Sequence, residues 1–127
     1  MSPFPTPQHH PSLLSLDTET AHGTVEVIHA RGAIDLLTGP ELERCIEVAL
    51  GKAPSAIVVD MTDVDFLASF GMSILLRTND RLTQDTPLVV VADGPATSRP
   101  MEILGLTDVL TICGTLQAAL ESLHPSP

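Results

Sequence analysis

The residues best placed to do chemistry lie between Asp60 and Arg81, in DMTDVDFLASFGMSILLRTNDR. Ser69 stands where an acidic stretch gives way to a helical pattern, at the position that wants an N-cap hydroxyl. Exposed amides and the positive end of a helix dipole stabilise anions there, so the chain itself would tolerate a phosphoryl group on Ser69. At about 100° per residue, Met72, Leu75, Leu76, Asn79 and Leu82 cluster on one side of the helix and are expected to pack on a sheet. Phe70, Ile74, Arg77 and Arg81 fall on the opposite side, an apolar pair flanked by two cations. A solvent-facing helix has no folding reason to display Phe and Ile in its first turns. These four residues are therefore expected to form a docking face for another protein. The bland alternative is that a neighbouring part of the chain covers Phe70 and Ile74.

Other chemistries do not assemble. Asp60, Asp63 and Asp65 are hard ligands, but a paired-carboxylate motif would need an acid where Thr62 stands, and an EF-hand loop would need a glycine and a distal glutamate. A phosphoryl-accepting Asp60 would want a lysine after a late strand, whereas the single lysine, Lys52, precedes the Asp60 strand. There is no GxSxG elbow, and His22, His29 and His124 lie in segments without a nucleophile partner. The stretch DGPATSR lacks the pattern of a phosphate loop. His9 and His10 have no carboxylate or cysteine at a workable spacing, and Cys45 and Cys113 are separate residues in apolar segments. No metal, cofactor or catalytic set is expected, so the chain reads as a binding protein rather than an enzyme.

Composition agrees. With 127 residues, 43% hydrophobic and 17% charged, the chain is one domain with enough apolar surface to fold. A net charge of −10 is the wrong sign for a phosphate backbone, and the lack of Trp and Tyr removes stacking platforms for single strands. A protein partner is favoured over nucleic acid. No basic leader with a long apolar run opens the sequence, and no apolar run approaches the ~20 residues that span a bilayer, so a cytoplasmic location is expected.

Residues 1–11 are Pro-rich and read as an arm, the domain is expected over 12–123, and 124–127 read as a tail. β-rich stretches at 13–16 and 24–31 predict an opening hairpin around Ala21–Gly23. Thr38 and Glu41 in capping-box spacing, with Pro40 in the first turn, predict a helix whose stripe is Leu42, Cys45, Ile46, Ala49 and Leu50. Glu41, Glu43 and Glu47 then face water. AIVVD at 56–60 and PLVVVAD at 87–93 read as central strands covered on both faces, the first followed by an acidic loop. Further helices are expected over 70–83, over 99–104 with Ser98 as cap, and over 115–123 with Leu116, Ala119, Leu120 and Leu123 inward. The fold class is α/β, a mixed sheet layered with helices.

Three segments carry a family resemblance: RGAIDLLTGPELERCI, IVVDMTDVDFLASFGMSILL and EILGLTDVL. Over residues 12–123 the chain resembles a STAS-domain protein of the anti-sigma factor antagonist type, and the second segment is the most specific. The resemblance implies a mixed sheet with helices packed against it. It also implies partner switching, in which the unmodified protein binds an anti-sigma factor, frees a sigma factor, and is inactivated when that ATP-dependent partner phosphorylates one serine. Ser69 matches the acceptor, and Asp35 and Gly71 join Phe70, Ile74, Arg77 and Arg81 as expected partner-binding residues. Where the family pattern reads Asp, Ser, Ser, Gly, this chain has Ala68, Ser69, Phe70, Gly71. The alternative is a STAS module that serves as an interaction scaffold without phosphorylation.

Overall fold

Uninterrupted runs of Val and Ile form the middle of a five-stranded sheet. The computed structural model describes residues 13–82 and 85–123; the expected arm and tail, with His9, His10 and His124, lie outside them. Strands β1 (Leu14–Ala21), β2 (Val25–Ile34), β3 (Ala56–Leu67), β4 (Leu88–Val91) and β5 (Thr111–Cys113) lie side by side in sequence order. β1 and β2 form the expected antiparallel hairpin, and the other neighbours are parallel. Helices α1 (Gly39–Leu50), α2 (Ser69–Arg81), α3 (Ser98–Ile103) and α4 (Leu116–Leu123) supply the connections and the covering layers. The mixed sheet layered with helices is the architecture expected from the sequence.

Period-two alternation divides the strands between two cores. Ile28, Ile57, Val59, Leu88 and Val90 point to the side covered by α1 and α2, together with Leu42, Ile46, Ile74, Leu75 and Met101. Val25, Val27, Ala56, Val58, Val89 and Val91 point to the other side, where α4 lays down Ala119 with Leu116, Leu120 and Leu123. β4 is buried at all four positions, as a strand covered on both faces must be.

The acidic stretch after Asp60 is strand, not loop. β3 continues to Leu67 and stays paired with β2 by carrying two surplus residues, with register shifts between His29 and Arg31 and between Gly32 and Ala33. Each shift is a bulge that puts two residues of β3 against one step of β2 and turns the strand. Met61, Val64 and Leu67 therefore all reach the core at a spacing of three, while Asp63, Asp65 and Phe66 remain outside. At the first bulge, Asp60 Oδ1 accepts the Thr62 amide at 3.0 Å and the Thr62 hydroxyl.

Two helix starts also differ from expectation. Thr38 precedes α1, but no capping box forms; its hydroxyl accepts the Asp35 amide at 2.9 Å and donates to the Ala33 carbonyl at 2.7 Å. Ser98 is the first residue of α3 and bridges the amide and carbonyl of Gly94. β5 and the 3-10 turn Leu106–Asp108 are elements that the sequence pattern did not mark.

Gly32 seals the end of the hairpin. Its φ is +106°, and a Cβ there would lie 2.1 Å from the Leu13 carbonyl oxygen, a backbone atom that cannot swing aside. Gly32→Ala is expected to destabilise the fold by about 1–3 kcal/mol, the cost of a side chain forced into a strained backbone region, measured by urea denaturation.

Candidate functional site

Ser69 is where three pieces of chain meet. It opens α2, directly after β3, and the Ala68 amide before it donates to the Ile34 carbonyl at 2.8 Å, tying it to the end of β2. Ala68 is the N-cap and Ser69 the first helical residue, so the serine does not cap the helix as expected. Its side chain is exposed, and its hydroxyl bonds to no other described residue; its carbonyl accepts the Ser73 hydroxyl at 3.1 Å. This hydroxyl is thus unencumbered by the described residues at the N-terminus of a helix, where the dipole favours negative charge.

The loop from β2 to α1 stands beside it, shaped by Asp35. Asp35 Oδ1 accepts the amides of Leu37 and Thr38, each at 2.9 Å, a local turn that fixes the chain before α1. The Thr38 amide bond, assisted by that of Leu37, holds the Asp35 carboxyl below the usual carboxylate range. Asp35, expected at a partner interface, spends this oxygen on organising the loop. The loop in turn presents Leu36 and Leu37, which are 69% and 80% exposed.

The structure covers the apolar pair of the expected docking face of α2 and leaves its two arginines exposed. Ile74 is fully buried, and Phe70 is half-buried against the core. Both lie over Gly39 of α1, where an added Cβ would come within 2.6 Å of the Phe70 ring and 2.9 Å of Ile74 Cδ1. Arg77 Nη2 pairs with Glu43 at 3.0 Å, and its guanidinium sits 5.9 Å from the Phe70 ring centroid. Arg81 grips Glu47 with two nitrogens. Glu43 and Glu47 are therefore partners of these arginines, and the four predicted contact residues form the seam between α1 and α2. Gly71 is buried too, its backbone close against Ile34 and Leu67.

The helical wheel failed here because it cannot distinguish water from a neighbouring helix. α2 packs on the sheet and on α1 at once, so its buried residues, Gly71, Met72, Ile74, Leu75 and Thr78, spread over a wide arc. The exposed residues of α2 are Ser69, Ser73, Arg77, Asp80 and Arg81, bordered by half-buried Leu76.

The apolar surface near Ser69 comes from other residues. Leu36 and Leu37 stand at the end of β2, and Phe66, 53% exposed, sits two residues before Ala68. Exposed Leu13 adjoins the same end, since its carbonyl accepts the Ala33 amide at 2.8 Å. A leucine pair outside any periodic stripe and one of only three phenylalanines were the available signals. Four exposed large apolar side chains at the end of the sheet where Ser69 starts α2 make a surface that favours contact with a protein.

Residues 15–119 match the STAS domain family. The chain belongs to the STAS-domain family. This STAS domain is 37% identical over 103 residues to the anti-sigma-F factor antagonist RsfB of Mycobacterium tuberculosis, covering 81% of this chain and 84% of that protein. The anti-sigma-B factor antagonist of Listeria monocytogenes is 29% identical over 86 residues, 67% of this chain and 75% of that one. Among solved structures, an anti-sigma factor antagonist from Mycobacterium paratuberculosis superimposes with a TM-score of 0.84 at 37% identity, covering 90% of this chain and 97% of that one. Among the described residues, no helix is long and apolar enough to cross a membrane, and no group of metal-ligating side chains is assembled.

The burial of the α1–α2 seam separates two substitutions that a docking face would treat alike. Ile74→Ala is expected to cost about 2–5 kcal/mol of stability, as for other truncations of a fully buried aliphatic residue. Arg77→Gln is expected to change stability by less than about 1 kcal/mol, because its ion pair is exposed. Chemical denaturation of both variants compares them directly.

Proposed function

We propose that this STAS domain is an anti-sigma factor antagonist that works by partner switching. The unmodified protein binds an anti-sigma factor in the cytoplasm and so releases a sigma factor for transcription. Phosphorylation of Ser69 by the kinase activity of that partner ends the contact. The observation that carries this reading is the exposed Ser69 hydroxyl at the start of α2, without a hydrogen bond to another described residue, at the end of the sheet that also exposes Leu13, Leu36, Leu37 and Phe66. The names of its relatives in Mycobacterium and Listeria support it.

Burial and charge supply the mechanism. The apolar rim gains free energy by leaving water against a partner, and the net charge of −10 favours one with a basic surface. A phosphoryl group on Ser69 adds about −1.5 to −2 charges and three strongly hydrated oxygens at the same end of the sheet, so closing the contact there requires stripping their water. A loss of ~3 kcal/mol weakens binding more than a hundredfold without refolding the domain. This chain contributes the acceptor oxygen and the surface; ATP and its metal belong to the partner, and the chain itself is not an enzyme. Contact is assigned to the tip around Ser69, with Asp35 acting through the loop it shapes, Phe70, Gly71 and Ile74 supporting α2 from within, and Arg77 and Arg81 bordering it at the surface.

Ala68 favours a second reading, a scaffold that binds its partner without being phosphorylated, because the family's aspartate before the acceptor is missing. Calorimetric titration with the cognate anti-sigma factor separates the two readings. Ser69→Ala is expected to retain affinity and Ser69→Glu to lose at least about tenfold, or about 1.4 kcal/mol; equal affinities favour the scaffold. Leu37→Asp is expected to weaken binding by a similar factor while leaving the unfolding midpoint close to that of the wild type.

A further inference from the structure

A chain of polar side chains crosses three strands on the α4 side of the sheet. His29, on β2, has Nδ1 2.9 Å from Asp60 Oδ2 on β3 and Nε2 2.7 Å from Glu19 Oε1 on β1. Asp17, on β1, stands opposite His29 in the ladder. Arg31 is the cation two residues further along β2, with its Nε 4.0 Å from Asp63. Ionised carboxylates only accept hydrogen bonds, and a neutral imidazole carries one N–H. Both contacts are satisfied together only when His29 is doubly protonated.

The two arms of this bridge differ. Asp60 is buried, and its other oxygen is held by Thr62 at the first bulge. Glu19 lies on the edge strand with a side chain 57% exposed, so it recovers water readily if the contact breaks. Loss of one proton therefore leaves Nδ1–H on Asp60 and releases Glu19.

We propose that Glu19, His29 and Asp60 form a proton-operated latch that fastens the edge strand β1 to the interior of the sheet, closed when His29 is an imidazolium and open when it is neutral. The hydrogen bond to Glu19 is the largest influence raising the His29 pKa above the ordinary 6.5; burial opposes it, and the bond to Asp60 and both carboxylate charges add to the rise. A raised folded-state pKa means that the latch stabilises fully below the unfolded value and that its contribution disappears as pH rises through the folded one.

The test is a titration of the full chain by ring 15N and backbone amide NMR from about pH 5.5 to about pH 9, the range in which histidine charge changes. The His29 midpoint is expected above 6.5, with N–H on both ring nitrogens on the acid side and on Nδ1 alone on the alkaline side. Glu19→Gln is expected to lower the midpoint. Exchange of the β1 amides, corrected for its intrinsic pH dependence, is expected to rise through the wild-type midpoint, and in His29→Gln to stay at the open-latch level across the range, above the wild type only on the acid side. A midpoint at or below 6.5, one unmoved by Glu19→Gln, or β1 protection that ignores the titration would overturn the latch. None of these measurements uses a partner protein, so the outcome is independent of the role assigned to Ser69.

Discussion

The pairing of β3 with β2 is the constraint on which the rest of the structure depends. The two strands must stay hydrogen-bonded while β3 carries two more residues over the same span, and bulges are the way a ladder absorbs a surplus. Each bulge re-aims the following side chains, so Val64 and Leu67 stay in the core although simple alternation would put one of them outside. The strand then delivers Ala68 to the end of β2, where its amide bonds to Ile34, and Ser69 follows at the rim. Without the two extra residues, α2 would start from a different height and face.

α1 and α2 are keyed together by a missing side chain. Gly39 leaves the space occupied by Phe70 and Ile74, and the ion pairs of Arg77 with Glu43 and Arg81 with Glu47 close the seam at the surface. Burial does most of the holding, because exposed ion pairs add little. The arginines serve chiefly as a polar border to an apolar contact, their stems covering surface while their heads stay wet. The seam fixes α2 while leaving Ser69, Ser73 and Asp80 exposed.

Much of this fold was legible because central parallel strands need β-branched runs, and AIVVD and PLVVVAD supplied them. The stripe of α4 was legible for a related reason: only one layer packs against it. Residues 61–67 were not, since two bulges erase the period of two and leave an acidic pattern that imitates a loop. β5, with three residues, is too short to show any period. Ser69 was singled out by a helix-start pattern and by family resemblance, and it is the first residue of α2 with Ala68 as the cap. The inward turn of Ile74 depends on α1 lying alongside, a relation that is not local in sequence, whereas Leu36 and Leu37 are presented by a local turn at Asp35 that no hydrophobic period marks.

The flanks of the sheet carry a consequence of their own. An uncovered outer strand is a template on which foreign chains can add, and proteins blunt it by shortness or by charge. β5 is short, and β1 carries Asp17 and Glu19 among mostly exposed positions. Sideways growth into larger β-assemblies is thereby discouraged at both borders, which protects a strongly acidic, aliphatic-rich chain from amyloid-like self-association.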